Sequence, residues 1–433
     1  RRTVYLAQRD AELRDATVYL SYEGRAYSDN PRAIYEERVR RGDDREHIWV
    51  VADGAFTPPD SRALGCGPGI EPTVVRVGSR EYYEALARSR YVVTNSFLPS
   101  WFRARDDQVV VQTWHGTPAK RIGGDQPHMA REPRPPAWHR QAAEVANWDL
   151  LLSQSPWATA VLRQAFEYQC EVVEYGYPRN DILLAGDRAE RAAEIRRALG
   201  LPEGRRVVLY APTYRDYDRK SSSVRLDLNE AAKVLGGDHV LLVRAHMLQA
   251  FPSAPGLVQP GSLAAARLAA APPITRRPTP TVTAAGRPTP ALVAARVAAK
   301  AAGAAARPSA KPRPFALDVT TYPDMADLLL VADVLITDYS AAMFDFAVTG
   351  RPMIFFVPDL AKYSARRGLY LDLPEQAPGP VVTTPAEVVD AIRNIDTLAA
   401  GYAERYAAFV RTYAPRDDGK ATVRLVDHVF PSG

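Results

Sequence analysis

Cysteine is nearly absent. Cys66 and Cys170 are the only two in 433 residues, too few for a disulfide framework and at no metal-ligand spacing, which excludes a structural zinc module and fits a reducing compartment. Long apolar runs are missing as well. A bilayer span needs roughly 20 consecutive apolar residues, and even Leu328-Leu329-Leu330-Val331 is soon interrupted by Asp333, so no membrane-crossing segment is expected. Neither an initiator methionine nor an apolar signal core accompanies Arg1-Arg2-Thr3, and the sequence reads as a processed or excised part of something longer. Acidic residues vanish from one stretch. From His239 to Leu317 there is no Asp or Glu but ten Lys or Arg, leaving 45 basic against 50 acidic residues elsewhere. That stretch therefore carries a net +10 and the remainder a net −5. It also has no aromatic between Phe251 and Phe315, hence no platform on which bases would stack, and nucleic acid is not expected as a partner.

What is present is enough apolar material, 46% hydrophobic residues, for two or three domains. Phe251 to Pro314 stands apart. It is dominated by Ala, Pro, Arg and Thr, and Arg287-Pro288-Thr289-Pro290 echoes Arg277-Pro278-Thr279-Pro280. Such a composition cannot offset the entropy of ordering, so residues 251–314 are expected to be a low-complexity, disordered insertion without a site, native or foreign to the fold. Elsewhere β-branched strands alternate with helices, the pattern of α/β domains with parallel sheets. Strands are expected at 16–20, 47–51, 91–94, 109–111, 149–153, 171–174, 206–210, 240–243, 334–337 and 353–357. Helices are expected from Pro31 (with Asn30 as N-cap), Arg80, Pro118, Pro156, Arg188, Met325, Ala341, Pro385 and Ala399.

The chemistry gathers at strand ends. Val109-Val110-Val111 delivers Gln112-Thr113-Trp114-His115-Gly116-Thr117, which sets His115 at the carboxyl edge where open parallel sheets bind ligands, followed by Lys120 and Arg121. An imidazole there suits acid–base work on an anionic substrate, whereas a histidine merely packed beside tryptophan is the competing role. Later strands end on Ala211-Pro212-Thr213-Tyr214-Arg215, on Arg244-Ala245-His246, and on Thr337-Asp338-Tyr339-Ser340. The last leads straight into a helix whose free N–H groups suit a phosphate, with Asp345 one turn in and able to reach back toward a ribose. Simple capping by Asp338 and Ser340 remains the alternative. Asp216 and Asp218 have the spacing of a metal-binding pair but read as a solvated loop.

Taken in order, Tyr27-Ser28-Asp29-Asn30-Pro31, Ser96 to Phe102, Gln112 to Pro118, Gly176-Tyr177-Pro178-Arg179-Asn180-Asp181, Ala211 to Arg215, Arg244-Ala245-His246, Ile336 to Ser340 and Phe344-Asp345-Phe346 resemble the CDP-glycerol glycerophosphotransferase family, the teichoic-acid polymerases and primases. The resemblance implies an α/β, GT-B-like fold in which two Rossmann-like domains face a central cleft. Residues 1–185 would form the acceptor side and 186–433 the CDP-alditol side. It implies His115 as catalytic base and His246 beside the donor pyrophosphate, with Gly116, Thr117, Lys120, Arg121, Thr213, Arg215, Arg244, Thr337, Asp338, Tyr339, Ser340 and Asp345 around the substrates. No cofactor or metal is implied. The expected partners are CDP-glycerol, a lipid-linked glycerol phosphate acceptor and the cytoplasmic membrane surface, to which the protein would be peripheral. Trp101, Phe102, Arg103 and Arg105 either touch that membrane or form an ordinary packed loop. CDP-ribitol-dependent transfer, sugar transfer from a nucleotide sugar, and non-catalytic polymer binding are the alternatives. One departure is Ala341, where the family usually has a second serine.

Overall fold

Two parallel seven-stranded sheets organise the described residues. The computed structural model describes residues 2–67, 69–215, 217, 224–245, 257–258 and 315–431; His246, Asp216, Asp218 and all of the low-complexity segment except 257–258 lie outside them. The first sheet holds β1 (Arg14–Leu20), β2 (Glu46–Val51), β3 (Thr73–Arg76), β4 (Ser89–Thr94), β5 (Val109–Gln112), β6 (Leu150–Ser153) and β7 (Glu171–Glu174), in the order β3-β2-β1-β4-β5-β6-β7. The second holds β8 (Arg206–Ala211), β9 (His239–Val243), β10 (Leu257–Val258), β11 (Ala316–Asp318), β12 (Val334–Thr337), β13 (Met353–Phe356) and β14 (Val381–Val382), in the order β10-β11-β9-β8-β12-β13-β14. Helices cover both faces, which is why β6 and β12 are buried at all four positions rather than at alternate ones.

The strand order reverses between β1 and β4 in the first sheet and between β8 and β12 in the second. Crevices beyond the carboxyl ends of strands at such reversals are where doubly wound folds bind ligands. Each sheet has one such reversal, which is the topology expected of two Rossmann-like domains in a GT-B-like architecture.

Successive side chains of the first sheet feed opposite cores. Val18, Ile48, Val92, Val110 and Leu151 pack on one face with Trp148 and Phe166, while Tyr19, Trp49, Val93, Val111 and Leu152 pack on the other with Ile34 and Tyr35. That second face is completed from far away. Leu425, Val426, Val429 and Phe430, in and just after the helix Ala421–Val429, cross back and bury themselves in it. The loop at 96–105 is packed rather than free: Phe102 is fully buried, and Trp101 lies 4.9 Å from the Tyr5 ring and 5.1 Å from the Tyr83 ring. No helix among the described residues is long and apolar enough to cross a membrane.

Two local expectations fail for a physical reason. No helix starts at Pro118; a single 3-10 turn at Gly123–Asp125 follows, and the next α-helix after β5 is Pro136–Val145. The chain there spends its backbone hydrogen bonds on the second domain instead. Tyr370 N donates to Ala119 O (3.0 Å), Arg121 N donates to Gly368 O (3.1 Å), and Lys120 bridges Leu369. Asn30 is not an N-cap: the helix Asp29–Arg40 begins two residues earlier than expected, after Ser28, and the Asn30 amide is used elsewhere.

Candidate active site

At the first reversal, β1 leads into Tyr22, β4 into Asn95 and β5 into His115. Asn95 ties the three together. Its Oδ1 accepts from Tyr22 N (2.8 Å), and its carbonyl oxygen stands 2.9 Å from His115 Nδ1. A carbonyl can only accept, so Nδ1 carries the hydrogen and Nε2 keeps its lone pair. The His115 side chain reaches solvent, yet enough protein surrounds it that desolvation is the main influence on its pKa. Desolvation lowers it below the ordinary histidine value, with the charges of Arg179 and Lys120 acting the same way and the Asn95 carbonyl and Asp29 opposing. Backbone strain concentrates at this spot. Of six non-glycine residues with positive φ among those described, four are Tyr22 (45°), Glu23 (59°), Asp29 (64°) and Trp114 (51°). Each such residue costs about 1–3 kcal/mol and persists only where its surroundings over-determine it.

Tyr22 Oη donates to Asp29 Oδ2 at 2.5 Å, and Asp29 Oδ1 accepts from Arg179 Nη1 at 3.0 Å. Burial alone would raise the Asp29 pKa, but Arg179, Tyr22 and the Asn30 N–H outweigh it and hold the carboxyl below its usual range. The same guanidinium donates from Nη2 to both oxygens of Asp345, each at 3.0 Å. Asp345 is therefore committed to an interdomain ion pair and not to a ribose, as the sequence had suggested. Gly116 is squeezed beside this contact. With φ of 138°, its missing Cβ would lie 2.7 Å from Ala341 Cβ and 3.2 Å from Arg179 Nη2, so the residue after His115 touches the start of the second domain's helix Ala342–Ala347.

At the second reversal, Asp338 holds the turn together. Its carboxylate accepts from Thr213 N (2.9 and 3.1 Å), Arg215 Nη1 (2.9 Å) and Tyr339 N (2.6 Å). Arg215 also forms a two-pronged pair with Asp359 (2.9 and 3.0 Å) and lies 4.9 Å from the Tyr339 and Tyr363 ring centroids. Its charge is spent inside the domain, not held out to a leaving group. Tyr339 is fully buried with its hydroxyl on Asp359 (3.2 Å), and Thr337 is fully buried with its hydroxyl on Ala211 O (3.0 Å). These two residues shape the turn without reaching the crevice. Ser340 Oγ accepts from Ala342 N (3.3 Å), so the capping role is present. Thr213 Oγ1 is buried and has no partner among the described residues.

Of the expected site residues that are described, His115, Lys120, Arg121, Arg244 and Ser340 are open or half-open to solvent. Arg244 donates to Tyr322 O (2.6 Å) and forms no carboxylate ion pair among the described residues; burial pushes its pKa down. Thr117 Oγ1 is turned inward to Gln154 Oε1 (2.5 Å), whose Nε2 donates to Asp417 Oδ2 (2.9 Å). Asp417 also accepts from Tyr177 N and Asn180 Nδ2, both at 3.0 Å, and burial pushes its pKa up to about 7. A carboxyl raised in the fold makes the protein less stable as pH climbs from the unfolded value near 4 through about 7. Asp417→Asn is accordingly expected to gain stability relative to the unaltered chain between pH 5 and pH 8, by about 1–3 kcal/mol. Urea unfolding at both pH values measures this, and a gap that does not change with pH would refute it.

Tyr22, Asn95, Asp29, Arg179 and Asp417 were not singled out from the sequence as site residues. The available signal was positional: Tyr22 and Asn95 directly follow two β-branched strands, and Asp29 and Arg179 each sit in an Asn- and Pro-containing turn.

The chain has relatives among known proteins. The family model for CDP-Glycerol:Poly(glycerophosphate) glycerophosphotransferase matches residues 4–253 and 301–431. The chain is 30% identical over 433 residues to the teichoic acid poly(glycerol phosphate) polymerase of Bacillus subtilis (strain 168), covering 98% of this chain and 50% of the relative. It is 29% identical over 420 residues to the teichoic acid glycerol-phosphate transferase of Staphylococcus aureus, covering 95% and 91%. A structure of the wall teichoic acid polymerase TagF, soaked with CDPG, superposes with a TM-score of 0.77 at 29% identity, covering 99% of this chain and 91% of that one. The chain spans about half the length of the polymerases from Bacillus subtilis and Staphylococcus epidermidis that it matches. With the family model matching residues 4–253 and 301–431, the chain belongs to the CDP-glycerol:poly(glycerophosphate) glycerophosphotransferase family.

Proposed function

We propose that the chain transfers glycerol phosphate from CDP-glycerol to the terminal hydroxyl of a lipid-linked glycerol phosphate polymer and releases CMP. The observation that carries this reading is the close approach of Gly116 to Ala341, which brings the loop bearing His115, whose Nδ1 is held by the Asn95 carbonyl, against the start of the opposite domain's helix. His115 Nε2 takes the proton of the attacking hydroxyl, the new P–O bond forms at the phosphorus bearing glycerol, and the bond to the CMP oxygen breaks. CMP departs with the added negative charge. Arg244, half-open to solvent, is suited to receive phosphate oxygens, and the buried Thr213 hydroxyl nearby has no partner among the described residues. His246, assigned to the same side by family resemblance, lies outside the described residues. Lys120 and Arg121 fit the anionic acceptor. A lipid-linked acceptor implies work at the cytoplasmic face of the membrane by a peripheral protein.

CMP release from CDP-glycerol is the test, with a lipid-linked glycerol phosphate acceptor and with CDP-ribitol and a UDP-sugar offered in parallel. CMP formed only with CDP-glycerol and acceptor supports the assignment. Preference for CDP-ribitol would move it to the ribitol branch, UDP release would move it to sugar transfer, and binding of CDP-glycerol without any turnover would leave a polymer-binding protein.

A further inference from the structure

Two turns, Ser28-Asp29-Asn30 and Pro178-Arg179-Asn180, have no part in the chemistry above, yet their side chains converge on it. Arg179 is the centre. Its side chain is only 7% exposed, and it lies 4.6 Å from the Tyr177 ring centroid. Nη1 is taken by Asp29 and Nη2 by Asp345, while its backbone N–H donates to Asn30 Oδ1 (3.1 Å). Asn30 in turn donates from Nδ2 to the carbonyls of Thr113 (3.3 Å) and Trp114 (3.4 Å), the two residues before His115. On the other side, Asp345 belongs to the helix Ala342–Ala347 that follows Ser340, and Asn180 Nδ2 donates to it as well (3.2 Å).

One guanidinium thus joins the His115 loop of the first domain to the donor-side helix of the second. Stability alone is a poor reason to bury these charges between domains, because a buried ion pair is often no more stabilising than apolar residues of the same volume. Fixing a distance is a better one. Phosphoryl transfer depends on alignment, and a misplacement of about 1 Å can cost about 100-fold in rate.

We propose that Arg179 is a positioning residue: by bridging Asp29 and Asp345 it holds the base His115 at a set separation from the Asp338–Ser340 turn, so that attack on the donor occurs in line. The proposal rests on His115 being the base, as given above. Arg179→Lys keeps the charge but cannot bridge two carboxylates with a planar fork; Asp345→Asn keeps the shape and removes one arm's charge. In both variants kcat is expected to fall about 100-fold, the CDP-glycerol dissociation constant to stay within about threefold, and amide exchange to rise at 113–117 and 340–346 while β1 and β8 stay protected. Either variant retaining kcat within about twofold would overturn the proposal. So would a parallel loss of binding, melting temperature and β1 protection, which marks a merely structural ion pair. If the unaltered protein neither binds nor turns over CDP-glycerol, the functional assignment falls, and the exchange measurement still decides whether Arg179 couples the two segments: no rise at 113–117 defeats it.

Discussion

Replacing His115 with alanine is expected to lower kcat for glycerol phosphate transfer by about 10²–10⁴-fold, the usual contribution of a positioned general base. The fold should hardly notice. The imidazole reaches solvent and its one described hydrogen bond is to the Asn95 carbonyl, so the stability change should remain within about 0.5 kcal/mol, as for other exposed positions. The pH profile sharpens the expectation. Transfer needs neutral His115, and desolvation holds its pKa below the ordinary value, so activity in the unaltered protein should persist to pH values below about 6.5 before falling along the acid limb. His115→Ala should erase that limb along with the rate. Steady-state kinetics between pH 5 and 8 together with thermal melts test this, and a variant within tenfold of the parent would remove His115 from the chemistry.

Asp338→Ala is expected to do the reverse, striking stability first. The carboxylate satisfies two backbone N–H groups, of Thr213 and Tyr339, and one arm of Arg215 at a nearly solvent-free site. Removing it leaves those donors unpaired and Arg215 with Asp359 as its main carboxylate partner among the described residues, a change worth about 3–5 kcal/mol when one side of a buried pair is deleted. CDP-glycerol binding should weaken with it, because the Thr213 loop loses its anchor to β12. Denaturant unfolding and equilibrium binding of CDP-glycerol measure both effects. A loss below about 1 kcal/mol would mean that water replaces the carboxylate and that the turn does not depend on it. Ser340→Ala, which removes a single 3.3 Å cap contact, offers the small-effect contrast of about 0.5–1 kcal/mol.

The architecture was legible because β-branched strands and interleaved helices leave a period that survives any tertiary context, and His115 was legible because a strand visibly ends before it. The partners of the site were not. Asp345 sits in a helical pattern one turn after a phosphate-type turn, so local geometry pointed it at a ligand; what claimed it was Arg179, 166 positions earlier in the chain. Arg215 was placed around the substrates for the same reason, its two carboxylates lying 123 and 144 positions away. Pro118 looked like a helix start because proline is tolerated there, but the segment after it hydrogen-bonds to residues 368–370. In each case a long-range ion pair or backbone pairing overrode a correct local signal, and nothing in local periodicity encodes such partners.

The return of the helix Ala421–Val429 to the first sheet has a consequence for how the molecule is made. During synthesis the amino-terminal half can pair its strands as it leaves the ribosome, but one flank of its sheet stays bare until some 250 further residues have emerged, counting from the end of β7. For that interval Tyr91, Val173 and their neighbours offer an oily surface to any passing chain or chaperone. The two halves are therefore not independent modules that could be cut apart and expressed singly. A fragment ending before residue 421 should be recovered mainly from the insoluble fraction, even though it would carry every residue that we assign to the reaction.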